Sequence, residues 1–231
     1  MASALPATDV IQRRSSGDEA ALFIRRLIFD GELRPGTRVP QDEVARRLGI
    51  SRIPVREALI ALEREGWVTI ELHRGAFVNA LDEVSVRDHY DLYGLTYGFA
   101  IERAVERGGP EFPAQLSEVE KAIAAATDVD DAWRLAIRFH ELVVAAARSP
   151  RITVVLRAMP GLIPGNFFEL VPGAFEAEKK GFATITRAVR RGDGGKAAQE
   201  YARMMRRQGQ RVVEVLEGRG LFQTPAEEEP A

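Results

Sequence analysis

The pattern of apolar and polar positions divides the chain into two unlike parts. Over residues 18–30, Ala21, Ile24, Leu27 and Ile28 recur at helical spacing, with Arg25 and Arg26 on the other side. Gly31 is a stop for this helix, and the Pro35–Gly36 pair marks a turn. A second helix is expected over 41–48, with Val44, Ala45 and Leu48 as its apolar face and Gly49 closing it. Ser51 stands as the N-cap of a third helix running to about Glu65, with Pro54 in its first turn and Val55, Leu59 and Leu62 as its buried stripe. The period then switches to alternation. Trp67 to Leu72 and Ala76 to Val78 are short β-rich runs around His73-Arg74-Gly75, a hairpin pattern. Three helices and a hairpin over residues 18–80 is the order of a winged helix-turn-helix domain.

After Leu81 the alternating signal disappears. Helical periodicity covers about 82–107, 112–126, 130–148, 151–162, 174–191 and 195–217, and Pro110, Pro150, Pro160, Pro164 and Pro172 fall between these segments or at their starts. The predicted fold class is therefore mainly α: an N-terminal winged helix-turn-helix domain, then an all-α bundle of six to seven helices over 81–218. Residues 1–17 read as a disordered arm and 219–231 as a disordered acidic tail. Gly161 to Phe168 is a turn-rich apolar break that reads either as a lid or as an interface loop.

Composition removes several function classes. The chain has no cysteine, which excludes a disulfide scaffold, a thiolate metal site and a cysteine nucleophile. Three histidines leave little room for histidine-rich metal chemistry. No run approaches the ~20 apolar residues of a spanning helix, and the first residues lack the apolar core of a secretory signal, so a cytoplasmic protein without membrane contact is expected. The net charge of −2 does not by itself point to nucleic acid. Divided at residue 80, however, the charge is +1 for the first part and −3 for the second. The basic residues are 28 Arg and 4 Lys, and all four Lys lie after residue 120. An Arg-rich codon bias explains most of that skew, so position carries the argument rather than number.

Position is informative in the third helix. The turn Leu48-Gly49-Ile50-Ser51 is short enough for one helix to brace the next in a major groove. The residues at the start of the second helix of such a pair reach base edges; here they are Ser51, Arg52, Ile53 and Arg56. Arg52 and Arg56 are four apart and project from one face, opposite Val55, Leu59 and Leu62. Arginine matches guanine O6 and N7 bidentately. Arg74 beside Gly75 at the hairpin tip suits a wing contact to phosphate or minor groove, or is a solvated turn residue. The competing reading of Arg56 is an exposed side chain paired to Glu57 or Glu63. No nucleophile–base pair, phosphate loop, dinucleotide fingerprint or paired-carboxylate motif appears, so an enzyme is not expected.

The runs Gly31 to Gly36, Glu43 to Leu59 and Leu62 to Val68, above all Ser51-Arg52-Ile53-Pro54-Val55-Arg56-Glu57-Ala58-Leu59, resemble the GntR family of bacterial transcription regulators. The helical remainder resembles the FadR-type effector domain, often called FCD. The resemblance implies a homodimer that binds a palindromic operator in double-stranded DNA under control of a small molecule in the helical domain. It also implies that Arg52, Arg56 and Gly75 occupy DNA-contact positions.

Many FCD domains bind a divalent metal through one Asp and three His. Matched to that pattern, this chain has Ala136, His140, Phe182 and Met204, so three of four ligands are missing and no metal or other cofactor is expected. The first effector-domain helix carries Tyr93 and Tyr97 where the family has Arg and Glu. Tyr93, Tyr97, Arg138, His140, Phe182 and Met204 are the expected ligand-binding residues. An apolar, aromatic pocket with few polar anchors suits a fatty acid, acyl-CoA or other lipid-like effector. Alternatives are another metabolite, a carboxylate with a residual metal site at His140, or a ligand-independent winged-helix protein. Arg203, Arg206, Arg207 and Arg211 on the last helix read as a solvated face paired with Glu200 and Glu214, or as a phosphate site.

Overall fold

A computed structural model describes residues 15–159 and 161–222. The first helix, α1 (Ser16–Phe29), begins two residues before the position expected from periodicity, because Ser15 and Asp18 form a reciprocal capping box: Ser15 Oγ accepts from the Asp18 amide at 3.1 Å and Asp18 Oδ2 accepts from the Ser15 amide at 3.1 Å. Helix α2 (Gln41–Leu48) ends at Gly49, whose φ of 66° is the left-handed conformation that glycine adopts without penalty. Helix α3 (Arg52–Arg64) follows after one short turn. Strands β1 (Val68–Glu71) and β2 (Gly75–Val78) pair antiparallel, Val68 opposite Val78 and Glu71 opposite Gly75. Ile24, Val44, Val55, Leu59, Leu62, Trp67, Ala76 and Val78 share one core. Arg25 Nε donates to Glu65 at 3.0 Å and ties α1 to the end of α3.

The second domain is helical throughout its described residues: α4 (Glu83–Arg107), α5 (Phe112–Ala125), α6 (Val129–Ala146), α7 (Pro150–Ala158), α8 (Phe167–Leu170), α9 (Ala174–Arg190) and α10 (Gly194–Gly218). Six of these match the periodic segments. The four-residue α8, inside the apolar break, is too short to show a period, and Asn166 caps it by accepting from the amides of Phe168 and Glu169. The two longest helices, α4 and α10, lie against each other, with close approach at Gly94, where a Cβ would meet Ala202 Cα at 2.9 Å. α4 carries Asp82 as N-cap, accepting from the Ser85 amide at 2.8 Å.

The domains meet along a definite joint. Phe29, at the end of α1, belongs to the core of the helical domain. Arg219 stacks over the Phe29 ring and donates to its carbonyl at 3.0 Å. Leu221 is buried and Phe222 bridges to Leu81, so the first residues of the expected acidic tail are folded against this joint rather than free. The rest of that tail, and the expected arm before Ser15, lie outside the described residues.

Candidate nucleic-acid interface and effector cavity

The start of α3, the start of α2 and the hairpin enclose one concavity, lined by Arg38, Asp42, Arg52, Arg56 and Gly75 among others. Of the DNA-reading residues expected from sequence, Arg52, Arg56 and Gly75 lie on it, and Ser51 and Ile53 stand exposed beside them, Ile53 with 68% of its surface open. Arg74 sits at the hairpin tip, ion-paired with Glu71, its guanidinium over the Phe77 ring. Among the described residues Arg56 has no carboxylate within ion-pair distance, and Glu63 instead accepts from the Ile70 amide at 2.8 Å. Arg52 is paired with Asp42.

Two features differ from expectation. Ser51 occupies the N-cap of α3, but its side chain makes no capping hydrogen bond. A capping oxygen bonds the second or third helical amide; the third is Pro54, which has no N–H. The Ser51 hydroxyl is thus left to solvent or to a ligand. The second is Arg38, missed in the sequence. Its backbone bridges to Phe77, which sets its guanidinium against Gly75. A Cβ at Gly75, where φ is +107°, would meet Arg38 Nε at 2.7 Å, so Gly75 both turns the chain and makes room for Arg38. The signal was the short alternation Arg38-Val39, one exposed and one buried.

The helical domain holds a cavity of about 630 Å³ between α4, α6, α7, α8, α9 and α10. Trp133, Phe167, Phe168, Tyr90 and Met205 supply apolar wall; Tyr93, Tyr97 and His140 line it as well. Tyr93 donates its hydroxyl to the Met159 carbonyl, which anchors the end of α7. His140 Nδ1 lies 3.2 Å from the Tyr201 hydroxyl, and Tyr201 stacks on Tyr97 with centroids 5.4 Å apart. Burial holds the His140 imidazole down to about 4, so it is neutral at ordinary pH.

Three expected ligand residues do not reach the cavity. Arg138 is exposed and faces Glu141 at 3.6 Å; two residues before His140 on a helix, it points about 200° away. Phe182 is fully buried behind the wall, edge-on to Phe139 at 4.8 Å. Met204 turns toward Gly181 and seals α9 to α10, and its neighbour Met205 lines the cavity instead. His89, Glu178 and Gln208 also line the cavity and were missed, because isolated polar residues on mostly apolar helices carry no periodic signal. The arginine face of α10 is satisfied by Glu200, Asp91 and the Pro172 carbonyl.

The donor set does not fit a divalent cation. Among the four metal positions implied by the resemblance only His140 carries a nitrogen or oxygen donor, its Nδ1 is engaged with Tyr201, and the Met204 thioether is too soft for a hard divalent cation. Among the described residues no three His, Asp or Glu side chains converge.

The cavity and the reading head share a wall. His89 lines both the cavity and a cleft whose opposite side is made by Pro35, Gly66 and Asn79 of the first domain. In the loop before α8, Gly161 and Ile163 line the cavity, while Leu162 between them packs against both domain cores. No helix among the described residues is long and apolar enough to cross a membrane.

Comparison with known proteins agrees with this layout. Residues 17–78 match the model of bacterial regulatory proteins of the gntR family, and residues 90–207 match the FCD domain. An uncharacterized HTH-type transcriptional regulator of Mycobacterium tuberculosis is 33% identical over 151 residues, 65% of this chain and 62% of that protein, so the match spans less than two thirds of that regulator. The gluconate operon transcriptional repressor of Bacillus subtilis is 29% identical over 139 residues, 59% of this chain and 57% of the repressor. Among solved structures, Escherichia coli McbR/YncC superposes with a TM-score of 0.61 at 19% identity, covering 89% of this chain and 99% of the other, and a putative GntR regulator from Rhodococcus sp. RHA1 with 0.56 at 22%, covering 90% and 99%. The helix-turn-helix head, the hairpin and the FCD match over half of the residues place the chain in the GntR family of transcription regulators, with an FCD domain as its C-terminal part.

Proposed function

We propose that the chain is a homodimeric repressor that reads a palindromic operator in double-stranded DNA and changes its grip when an apolar small molecule fills the helical domain. The observation that carries the DNA reading is the convergence of Arg38, Arg52 and Arg56 on the concavity beside Gly75. Arg52 and Arg56 take guanine edges, Ile53 a thymine methyl, Ser51 and Arg38 the flanking phosphates, and Arg74 the wing contact. Asp42 holds Arg52 in place until a base displaces it. On the outer face of α4, Leu92, Leu95 and Phe99 are exposed at spacings of three and four, an unpartnered apolar stripe that supports pairing of two copies. The effector is lipid-like: fatty acid, acyl-CoA and related molecules share the apolar body that Trp133, Phe167 and Phe168 accommodate. It acts without a metal, through His89 and the Gly161-Leu162-Ile163 loop, by favouring one arrangement of head and helical domain over the other.

A gel shift on DNA upstream of the chain's own coding region tests the reading. Binding is expected to be palindrome-dependent and to weaken steeply with salt. Arg56→Ala is expected to lower affinity about 10- to 100-fold, corresponding to roughly 1–3 kcal/mol for a bidentate base contact. Unchanged binding by that variant overturns the contact assignment.

A further inference from the structure

The cavity has one polar pole that the DNA-reading scheme leaves unused. Glu178 on α9 is only 3% exposed, lines the cavity, and its Oε1 has no hydrogen-bond partner among the described residues. A buried oxygen without a partner is costly and rare, and a bound molecule that donates to it removes the cost. We propose that the effector is an uncharged, largely apolar molecule bearing a hydroxyl group, and that this hydroxyl hydrogen-bonds with Glu178 Oε1. The inference rests on the reading of the cavity as an apolar effector site, and narrows it from lipids in general to the alcohol class.

Three observations weigh against a charged head group placed at Glu178. Arg157 is the one guanidinium on the cavity lining among the described residues, and it stands exposed on α7, so a carboxylate driven inward meets Glu178 without a counter-charge. The cations nearest in effect to Glu178, Arg207 and Arg211, do not line the cavity, and hold Glu200 and the Pro172 carbonyl instead. An ammonium fares no better, because it needs an ionised partner. Burial pushes the Glu178 carboxyl up to about 8, against the pull of the Gln208 side chain and of Arg207 and Arg211, so at neutral pH it is mostly protonated. His89, the other orphan of this wall with Nε2 unpartnered, is likewise held neutral by burial. A hydroxyl, which is neutral and both donates and accepts, therefore suits this pole.

The test is a matched set of probes on the full chain: 1-decanol, decanoate and decylamine, read by the fluorescence of Trp133 on the cavity wall, with Trp133→Phe as the control for Trp67. At pH 7, 1-decanol is expected to bind about ten-fold tighter than either charged probe. Glu178→Leu is expected to lower decanol affinity about ten-fold, whereas Glu178→Gln, which keeps an acceptor oxygen, retains it. Tighter binding of decanoate or decylamine, or decanol affinity indifferent to Glu178→Leu, overturns the hydroxyl assignment and leaves the apolar-site reading standing. Failure of all three probes to bind overturns both.

Discussion

Glu178, His140 and His89 are three ionisable side chains kept from ionising, and each leaves a signature in the pH dependence of stability. The two imidazoles are held down to about 4 by burial, so the unfolded chain binds protons that the folded chain refuses. Their contribution is complete above the ordinary histidine range near 6.5 and is lost as pH falls toward 4. Glu178 is displaced the other way, to about 8, so its contribution is complete below the ordinary carboxylate range and is lost as pH rises through 8. Between pH 6.5 and 8 the loss from Glu178 outweighs the last of the histidine titration, and the melting temperature of the chain is expected to fall by roughly 2–3 °C across that window. Glu178→Leu should flatten that limb and His140→Phe should blunt the acid limb, both read by calorimetry. A limb unaffected by its variant assigns the titration elsewhere.

At the level of elements, the packing of α4 on α10 is the most demanding contact. Gly94 faces Ala202 so closely that a methyl group would fall 2.9 Å from its Cα, a distance only backbone movement can relieve. Gly94→Ala is expected to destabilise the helical domain by about 1–3 kcal/mol, despite the better helix propensity of alanine, and thermal melting would show it. Such contacts separate the legible features of the sequence from the illegible ones. Single-element features were readable: the helices of both domains apart from the four-residue α8, the hairpin about Gly75, the left-handed Gly49 and the arginines on the leading face of α3. Features that depend on how one helix is rotated against another were not. Phe182 and Met204 sit on the helices that wall the cavity, but α9 and α10 are turned so that Glu178, Met205 and Gln208 face inward instead. Ser51 shows the same limit within one turn, since Pro54 removes the third-position amide that its hydroxyl would take and no capping bond forms.

Across the whole molecule, recognition of two half-sites requires that two heads be held at a fixed separation. If the stripe of Leu92, Leu95 and Phe99 is what holds them, Leu95→Glu is expected to yield monomer by sedimentation and to lower operator affinity at least ten-fold, with single half-site binding little changed. A dimer surviving that substitution moves the interface elsewhere. Coupling between chamber and head makes a separate prediction. Leu162 packs on both cores while its neighbours face the cavity. Leu162→Ala should leave decanol binding within about two-fold yet reduce the change in operator affinity that decanol produces, a change of about 5- to 150-fold in typical coupled systems. Equal responses in variant and parent would dismiss the loop as the conduit. The alternation of Gly161, Leu162 and Ile163 also bears on how such a sensor acquires new uses. On the proposed function the message passes through a few side chains near that loop, whereas Ile137, Val144 and Thr153 line the chamber from α6 and α7. On that reading, drift at those three positions would retune what is sensed without rewriting what is read, so descendants of this chain would inherit an old operator and answer to a new molecule.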